Sequence, residues 1–219
     1  MVQAKKEANI LLIGDGAVGK TSLSNVYNGK TFSDQHLATL GLDYFALDVN
    51  PKSNPSDSYN LKIWDTAGQE RFKSLTMAFY KQSHGMMICF DITKRKTFES
   101  VRRWFLAVNN NCEADTAVIL IGTKSDLADE RVVSVEEAEQ LAAESGMTYF
   151  ETSARENINV TESFSELIDL VYKAKFATDL PEEEPKPVQR DTVKLSRKSE
   201  AKAASAKADP EQKKKKKCC

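Results

Sequence analysis

Four short apolar runs constrain the fold of this chain more than any other feature of its sequence. They are ANILLIG, GMMICFDI, TAVILIG and MTYFET, which occupy residues 8–14, 85–92, 116–122 and 147–152. Continuous apolar runs of this length are typical of parallel strands that helices cover on both faces. Segments 42–50 and 58–65, the second with alternating Tyr59, Leu61 and Ile63, predict a hairpin within the same sheet.

Helical spacing appears between the predicted strands. Apolar residues recur at positions i, i+3, i+4 and i+7 in two segments. They are Val101, Trp104, Phe105 and Val108 in the first, and Phe164, Leu167, Ile168 and Val171 in the second. Ser134 and Glu137 have the spacing of a capping box at the start of a further helix. The alternation of strands and helices predicts a six-stranded α/β sandwich.

The chain divides into a globular body, residues 1–176, and a C-terminal tail, residues 177–219. No aromatic residue follows Phe176, and the tail carries 12 Lys and Arg against 8 Asp and Glu. Its net charge is therefore +4, which leaves −5 for the body out of a total of −1. A Lys/Ser/Ala-rich segment of this kind buries too little apolar surface to offset the entropy lost on ordering. We therefore predict a disordered tether after the body.

The N-terminus and the cysteines favour a cytosolic protein. The first ten residues, MVQAKKEANI, contain no apolar signal region, and no later apolar run approaches the roughly 20 residues that cross a bilayer. Cys89 and Cys112 lie far apart, and with the terminal pair they have neither metal-ligand nor disulfide spacing. The sequence disfavours secreted and membrane-spanning proteins.

The segment GDGAVGKT, residues 14–21, connects the first predicted strand to a helix. It matches the pattern GxxxxGK[ST], in which glycines let successive backbone N–H groups point at phosphates and the helix N-terminus adds positive potential. Lys20 would supply a point charge and Thr21 a hydroxyl for Mg²⁺. An ordinary glycine-containing turn is the alternative, which the flanking strand and helix disfavour. The predicted phosphate-binding residues are Gly14, Asp15, Gly16, Ala17, Val18, Gly19, Lys20, Thr21 and Ser22.

The segment WDTAGQERF, residues 64–72, has a second set of candidate residues. Asp65 ends a predicted strand, where a carboxylate can hold Mg²⁺ through water. The bare backbone of Gly68 can approach a γ-phosphate, and the amide of Gln69 can orient a water molecule. Because a phosphate-binding motif precedes it, an ordinary turn is the weaker interpretation.

Five motifs, in this order and spacing, resemble the Ras-like small GTPases and, within them, the Rab proteins. They are GDGAVGKTS, ATLGLDYF, WDTAGQERF, GTKSDL and ETSAR, and the resemblance extends over about residues 8–176. It implies the P-loop small GTPase fold, with a six-stranded, mostly parallel sheet and helices on both faces. It also implies a GTP/GDP switch that takes Mg²⁺ as cofactor, hydrolyses GTP slowly and recruits effectors in membrane trafficking.

The resemblance implies roles for single residues around the phosphates. Thr21, Thr39 and Asp65 match the residues that hold Mg²⁺. Thr39 and Gly68 match those that contact the γ-phosphate, and Gln69 matches the catalytic residue that positions the attacking water.

Two segments, residues 30–45 and 66–82, match the switches that respond to the γ-phosphate. Three aromatic residues, Tyr44, Trp64 and Phe79, match a triad that effectors of Rab proteins contact. Tyr44 stands where these relatives usually carry Phe.

The segments GTKSD and ETSA resemble those that select guanine. Asp126 can accept two hydrogen bonds, from the ring N–H and the exocyclic amine of guanine, which adenine cannot supply. The backbone N–H of Ala154 matches the donor to the guanine oxygen, and Lys124 matches a lysine whose stem covers the base. Phe32 matches an aromatic residue at the edge of the base. The predicted base-binding residues are Phe32, Thr123, Lys124, Asp126, Ser153, Ala154 and Arg155.

Thr123 departs from the family pattern, in which an asparagine bonds the base and ties the base loop to the phosphate-binding loop. Threonine offers one hydroxyl on a shorter arm. The departure bears on nucleotide affinity and exchange rate more than on guanine preference, because Asp126 and Ala154 are kept. The alternative function is a GTP-loaded scaffold with fast exchange and little hydrolysis, against which Gln69 argues. Asp126 disfavours a third option, an ATP-dependent kinase or ATPase.

The chain ends in the nine residues EQKKKKKCC. Rab proteins commonly end in two cysteines that receive geranylgeranyl groups, and Cys218 and Cys219 fit this pattern, whereas a CaaX signal is absent. Two prenyl chains and a polybasic run give stable attachment to an anionic membrane. A nuclear-localisation or nucleic-acid patch and a metal or redox pair are alternatives, but neither explains two terminal thiols. The basic residues are Lys213, Lys214, Lys215, Lys216 and Lys217.

The implied partners are guanine nucleotide, a GTPase-activating protein, an exchange factor, prenylation escort and membrane-extraction proteins, and effectors, with no nucleic acid. We expect a monomer at the cytoplasmic face of an endomembrane compartment, with a cytosolic pool.

Overall fold

One six-stranded sheet forms the centre of the fold. The computed structural model describes residues 6–34, 42–66 and 79–177. The strands in this part are β1 Glu7–Ile13, β2 Leu42–Val49, β3 Tyr59–Thr66, β4 Gly85–Asp91, β5 Ala117–Thr123 and β6 Thr148–Thr152. Their order across the sheet is β2-β3-β1-β4-β5-β6. Each neighbouring pair is parallel except β2 and β3, which are antiparallel. The predicted mostly parallel sheet and its hairpin are confirmed.

Helices and a 3₁₀ segment follow the strands in the described part of the chain. The helices are α1 Lys20–Tyr27, α2 Arg95–Glu99, α3 Val101–Asn111, α4 Val135–Glu144 and α5 Val160–Phe176, and the 3₁₀ segment is Ser125–Glu130. None of the helices in residues 6–34, 42–66 and 79–177 has the length and apolarity needed to cross a bilayer.

The start of α4 confirms one half of the predicted capping box and corrects the other. The Ser134 hydroxyl accepts the backbone N–H of Glu137 at 3.2 Å, as an N-cap residue does. The Glu137 carboxylate, which a capping box would direct back to Ser134, instead accepts two hydrogen bonds from Arg95, each at 2.6 Å. A bidentate guanidinium is the stronger partner for a carboxylate. Ser134 therefore marks the helix start correctly. The Glu137 carboxylate, however, binds Arg95, which lies 42 positions away in sequence.

Two hydrophobic cores lie on opposite faces of the sheet. Ile10 and Leu12 of β1 belong to the core that also contains residues of α1 and α5, whereas Leu11 and Ile13 belong to the core beneath α2, α3 and α4. Because both faces are covered, the four consecutive residues 10–13 of β1 are all buried, which explains the continuous apolar runs. In the predicted helical stripes, all of the α5 residues and two of the α3 residues are buried, while Trp104 and Phe105 pack against the core half-buried.

The parallel strands end at one edge of the sheet, and this edge carries the candidate site. In a sheet of this type, ligands bind in the crevice outside the carboxyl ends of the strands. Gly14 follows β1, Asp65 lies near the end of β3, and Asp91, Thr123 and Thr152 end β4, β5 and β6.

Candidate functional site

The loop between β1 and α1 has a backbone shape that requires glycine at its start. Gly14 has φ +142°, and a Cβ at this position would lie 2.2 Å from the carbonyl oxygen of Cys89 on β4. Gly19, the N-cap residue that precedes α1, has φ +98° in the left-handed region. Ala17 is also left-handed, at φ +59°, which costs a residue with a Cβ roughly 1–2 kcal/mol. The motif glycines thus hold a compact turn in front of a helix N-terminus, as a phosphate site needs.

Lys20 is buried at the base of this loop. Its ammonium donates to the carbonyl oxygens of Gly14 at 3.0 Å and Asp15 at 2.8 Å. Burial lowers the pKa of Lys20, while the nearby Cys89, Asp65 and Asp15 act to raise it. A polyanion beside the ammonium would also stabilise the charged form. The position suits a residue that carries charge to bound phosphates.

Thr21 and Asp65 meet where α1 begins and β3 ends. The Thr21 hydroxyl donates to Oδ2 of Asp65 at 2.5 Å. Oδ1 of Asp65 is buried and has no hydrogen-bond partner among the described residues. Burial raises the pKa of Asp65, against hydrogen bonding from Thr21 and the charge of Lys20. A hydroxyl and a carboxylate oxygen beside a phosphate loop are the donor set that Mg²⁺ prefers, so these two residues fit the ion.

A pocket next to the loop is lined by four segments of the chain. It brings together eight residues from the predicted nucleotide site, which are Gly19, Ser22, Phe32, Thr123, Lys124, Asp126, Ala154 and Arg155. Leu23, Asp34, Leu127 and Thr152 also line it, and sequence analysis did not identify them. Six of the seven predicted base-binding residues, all except Ser153, therefore line one cavity.

Asp126 is held in this pocket by its neighbours from the end of β6. Its Oδ1 accepts the Ser153 hydroxyl at 2.7 Å, and its Oδ2 lies 3.7 Å from Nε of Arg155. The same serine oxygen accepts the backbone N–H of Glu156 at 3.0 Å, which orients it. Ser153 is fully buried. Ser153 was predicted to be a nucleotide-binding residue, and its hydroxyl contacts Asp126.

Lys124 has a buried partner that sequence analysis missed. Its ammonium lies 2.6 Å from Oδ2 of Asp91, whose side chain is completely buried at the end of β4. Thr93 donates both its backbone N–H and its hydroxyl to the other carboxylate oxygen. Burial by itself would raise the pKa of Asp91, but hydrogen bonds from Lys124 and Thr93 outweigh it and lower the pKa. The sequence feature that could have indicated this role is the position of Asp91, an acidic residue at the end of the apolar strand β4.

Thr123 reaches the phosphate-binding loop with its single hydroxyl. Oγ1 lies 2.5 Å from the carbonyl oxygen of Val18 and 2.8 Å from that of Phe90. The contact to Val18 ties the base loop to the phosphate-binding loop, as the family's asparagine was expected to do. The effect of Thr123 on affinity and exchange stays a prediction.

Arg155 and Phe32 lie at the open side of the pocket. The guanidinium carbon of Arg155 is 5.4 Å from the centre of the Phe32 ring, within the range of a cation–π contact. Arg155 also forms an ion pair with the exposed Asp34. The end of β6 and the segment after α1 are thus joined beside the base-binding residues.

The side chain of Asp15, a residue of the phosphate loop, contacts α3. Its carboxylate oxygen Oδ1 accepts hydrogen bonds from Arg103 at 3.1 Å and from the Trp104 indole at 2.9 Å, both on α3. Within the described contacts, Asp15 contributes to the phosphate loop through its carbonyl, which accepts from Lys20. The predicted role of Asp15 in nucleotide binding stays a prediction, while its side chain anchors the loop to α3.

Tyr44, Trp64 and Phe79 form one continuous aromatic cluster. The Tyr44 and Trp64 ring centres lie 4.5 Å apart, and those of Trp64 and Phe79 lie 4.7 Å apart. Tyr44 pairs with Trp64 across the β2–β3 hairpin and is 55% exposed. An exposed ring on a preformed aromatic cluster is a typical feature of a protein-binding surface. Effector contact at these residues stays a prediction.

Several predicted residues lie outside the described part of the chain, and their roles stay predictions. They are Thr39, Gly68, Gln69, the lysines Lys213, Lys214, Lys215, Lys216 and Lys217, and the cysteines Cys218 and Cys219.

Comparison with known proteins gives one family. Residues 9–173 match the Ras family. The chain is 39% identical over 166 residues to the Ras-related protein Rab-13 of Bos taurus, covering 75% of this chain and 80% of the relative. It is 41% identical over 163 residues to the Ras-related protein RABA5b of Arabidopsis thaliana, covering 74% of each. It is 40% identical over 172 residues to the Ras-related protein Rab-27A of Rattus norvegicus, covering 74% and 77%. The chain therefore belongs to the Ras family and is a Rab-type small GTPase.

Proposed function

We propose that this GTPase is a membrane-tethered GTP/GDP switch that binds its nucleotide with Mg²⁺ and hydrolyses GTP slowly until a partner stimulates it. The observation that carries the proposal is the convergence of Lys20, the Thr21–Asp65 pair and Asp126 at one edge of the sheet. These groups match a phosphate chain, a cation beside it and a guanine base, respectively.

The residues of the chain divide the chemistry between them. Lys20 and the loop backbone bind the phosphates, and Thr21, Thr39 and Asp65 would hold Mg²⁺, which neutralises charge on the phosphate oxygens. Gln69 orients the attacking water. Thr39 and Gly68 contact the γ-phosphate, so that hydrolysis releases both switch segments from their anchor. In the relative Ras, a GTPase-activating protein accelerates this reaction by about 10⁵-fold.

Hydrolysis distinguishes the switch from a GTP-loaded scaffold. Protein loaded with GTP is expected to release phosphate slowly with Mg²⁺ and more slowly still with a chelator, measured under single-turnover conditions. The contact between Thr123 and Val18 supports the switch, because it restrains the base loop that a fast-exchanging scaffold would loosen. GTP that stays intact with Mg²⁺ while exchanging rapidly would favour the scaffold.

Asp91 is expected to slow nucleotide release through Lys124. The Asp91→Asn substitution keeps the side-chain shape but removes the charge that holds the Lys124 ammonium at 2.6 Å. A hydrogen bond to a charged group contributes about 1.5–3 kcal/mol, so GDP should dissociate about 10- to 100-fold faster. The measurement is dissociation of fluorescent GDP at constant Mg²⁺.

Lys94 gives a matched control for this prediction. It approaches the same carboxylate at 3.8 Å, but its side chain is 55% exposed and does not line the pocket. Lys94→Met should leave GDP release unchanged. Unchanged release from the Asp91→Asn variant would exclude Asp91 as a positioning residue for Lys124.

The tail is proposed to carry the membrane anchor. Replacing both Cys218 and Cys219 by serine should leave GTP binding intact and move the protein from the membrane fraction to the cytosol, because both prenyl groups are lost. Fractionation of cells that express each form measures the shift. Substitution of Cys112, which lies in the described body, by serine is the control and should not change the distribution. A double variant that still sediments with membranes would place the anchor elsewhere.

A further inference from the structure

Thr152 places a buried hydroxyl in the wall of the base pocket. It ends β6 and lines the pocket together with Asp126 and Ala154. It is 1% exposed, and Oγ1 has no hydrogen-bond partner among the described residues. Buried polar groups in folded proteins nearly always have a partner. A buried, unpaired hydroxyl at the wall of a binding pocket points to a partner in the ligand.

The neighbouring Thr123 cannot fill the same role because its proton is already engaged. The two threonines are register partners on β5 and β6. Oγ1 of Thr123 lies within hydrogen-bond distance of two carbonyl oxygens, those of Val18 and Phe90. A hydroxyl has one proton and carbonyl oxygens only accept, so Thr123 has no donor left for a ligand. Of the two threonines, Thr152 has the donor that a base can use.

Asp126 determines which edge of a guanine base would face Thr152. Guanine carries N–H donors on one edge and the acceptors O6 and N7 on the adjoining edge. With the donor edge on Asp126, O6 meets the backbone N–H of Ala154, and N7 is the next acceptor around the ring. Thr152 precedes Ala154 by two residues, and both contribute to the same wall.

We propose that Thr152 is a further base-binding residue whose hydroxyl donates a hydrogen bond to N7 of guanine, directly or through one water. The inference rests on the proposed nucleotide site and extends it by one contact. The Thr123 hydroxyl is engaged by the carbonyl oxygens of Val18 and Phe90. The hydrogen bond to N7 therefore comes from Thr152 on β6 and not from Thr123 in the base loop.

The test compares GDP with 7-deaza-GDP, in which a C–H group replaces N7. Dissociation constants are measured by competition against fluorescent GDP at constant Mg²⁺. The parent protein is expected to bind GDP about 2- to 12-fold more tightly than 7-deaza-GDP, the range that one net hydrogen bond provides. Thr152→Val, which removes the hydroxyl at nearly constant volume, should weaken GDP binding by the same factor and abolish the preference.

Two further variants separate the contact from a general effect on β6. Thr152→Ser keeps the hydroxyl and should restore the preference for GDP. Thr148→Val makes the same change at the exposed opposite end of β6 and should leave it unaltered. Equal binding of both ligands by the parent, or a full preference retained by Thr152→Val, would overturn the inference while leaving the guanine site in place. A parent protein that binds neither ligand would refute the nucleotide site itself.

Discussion

The Asp126→Asn variant is expected to bind GDP about 10- to 150-fold more weakly than the parent, because one charge-assisted hydrogen bond is lost, and to gain affinity for xanthosine diphosphate. In the proposed site the carboxylate accepts from two N–H groups of guanine, and charge-assisted hydrogen bonds contribute about 1.5–3 kcal/mol each. Asparagine keeps one acceptor but presents an NH₂ group where guanine also presents one. Xanthine carries an oxygen at that position and can accept from it. Competition against fluorescent GDP measures both changes.

Asp34 provides the matched control for this prediction. It also lines the pocket, but its side chain is exposed and forms an ion pair with Arg155, whereas Asp126 accepts the Ser153 hydroxyl. Asp34→Asn should retain the preference for GDP over xanthosine diphosphate. If Asp126→Asn retained it as well, guanine selection would have to come from another residue.

The Gln69→Leu variant should keep nucleotide binding and slow partner-stimulated GTP hydrolysis by orders of magnitude. Leucine has nearly the same size but cannot orient a water molecule. Phosphate release under single-turnover conditions, with a GTPase-activating protein present, measures the loss, and fluorescent GDP binding checks that the site is intact. A GTPase-activating protein accelerates GTP hydrolysis by Ras about 10⁵-fold, and the Leu variant should lose most of a stimulation of this size.

Gln140 on α4 serves as a control for Gln69. Its amide donates to the Glu144 carboxylate at 2.9 Å on the surface of the helix, away from the pocket. Gln140→Leu should leave stimulated hydrolysis at the parent rate. A Gln69→Leu variant that is stimulated like the parent would remove Gln69 from the catalytic mechanism.

The fold and the outline of the candidate site were predictable because their signals are local in sequence. The apolar runs at residues 8–14 and 116–122 report burial on both faces of the sheet, and the β1 and β5 strands lie within one residue of them. The loop between β1 and α1 was predictable because its backbone conformation requires glycine. At Gly14, for example, a Cβ would clash with the backbone of Cys89.

The contacts that sequence analysis missed depend on partners far away in sequence. Asp91 meets Lys124 across 33 positions, and the carboxylate of Asp15 turns to Trp104 on α3, 89 positions away. Thr152 was missed for a different reason, since its significance comes from lacking a partner in the described part of the chain. Neither kind of information is present in a local pattern. The reach of the Thr123 hydroxyl to Val18 likewise needed the packing of the base loop against the phosphate loop.

The nucleotide that the protein carries tests the central claim most directly. The purified protein is denatured, and the released small molecules are separated by ion-exchange chromatography against guanine and adenine nucleotide standards. Protein that releases no nucleotide is first incubated with GDP and Mg²⁺ and then freed of excess ligand. We predict GDP or GTP in stoichiometric amount, because in the proposed site Asp126 would select guanine and Lys20, Thr21 and Asp65 would hold the phosphates and Mg²⁺. An adenine nucleotide, or a protein that retains no GDP after incubation, would contradict the account.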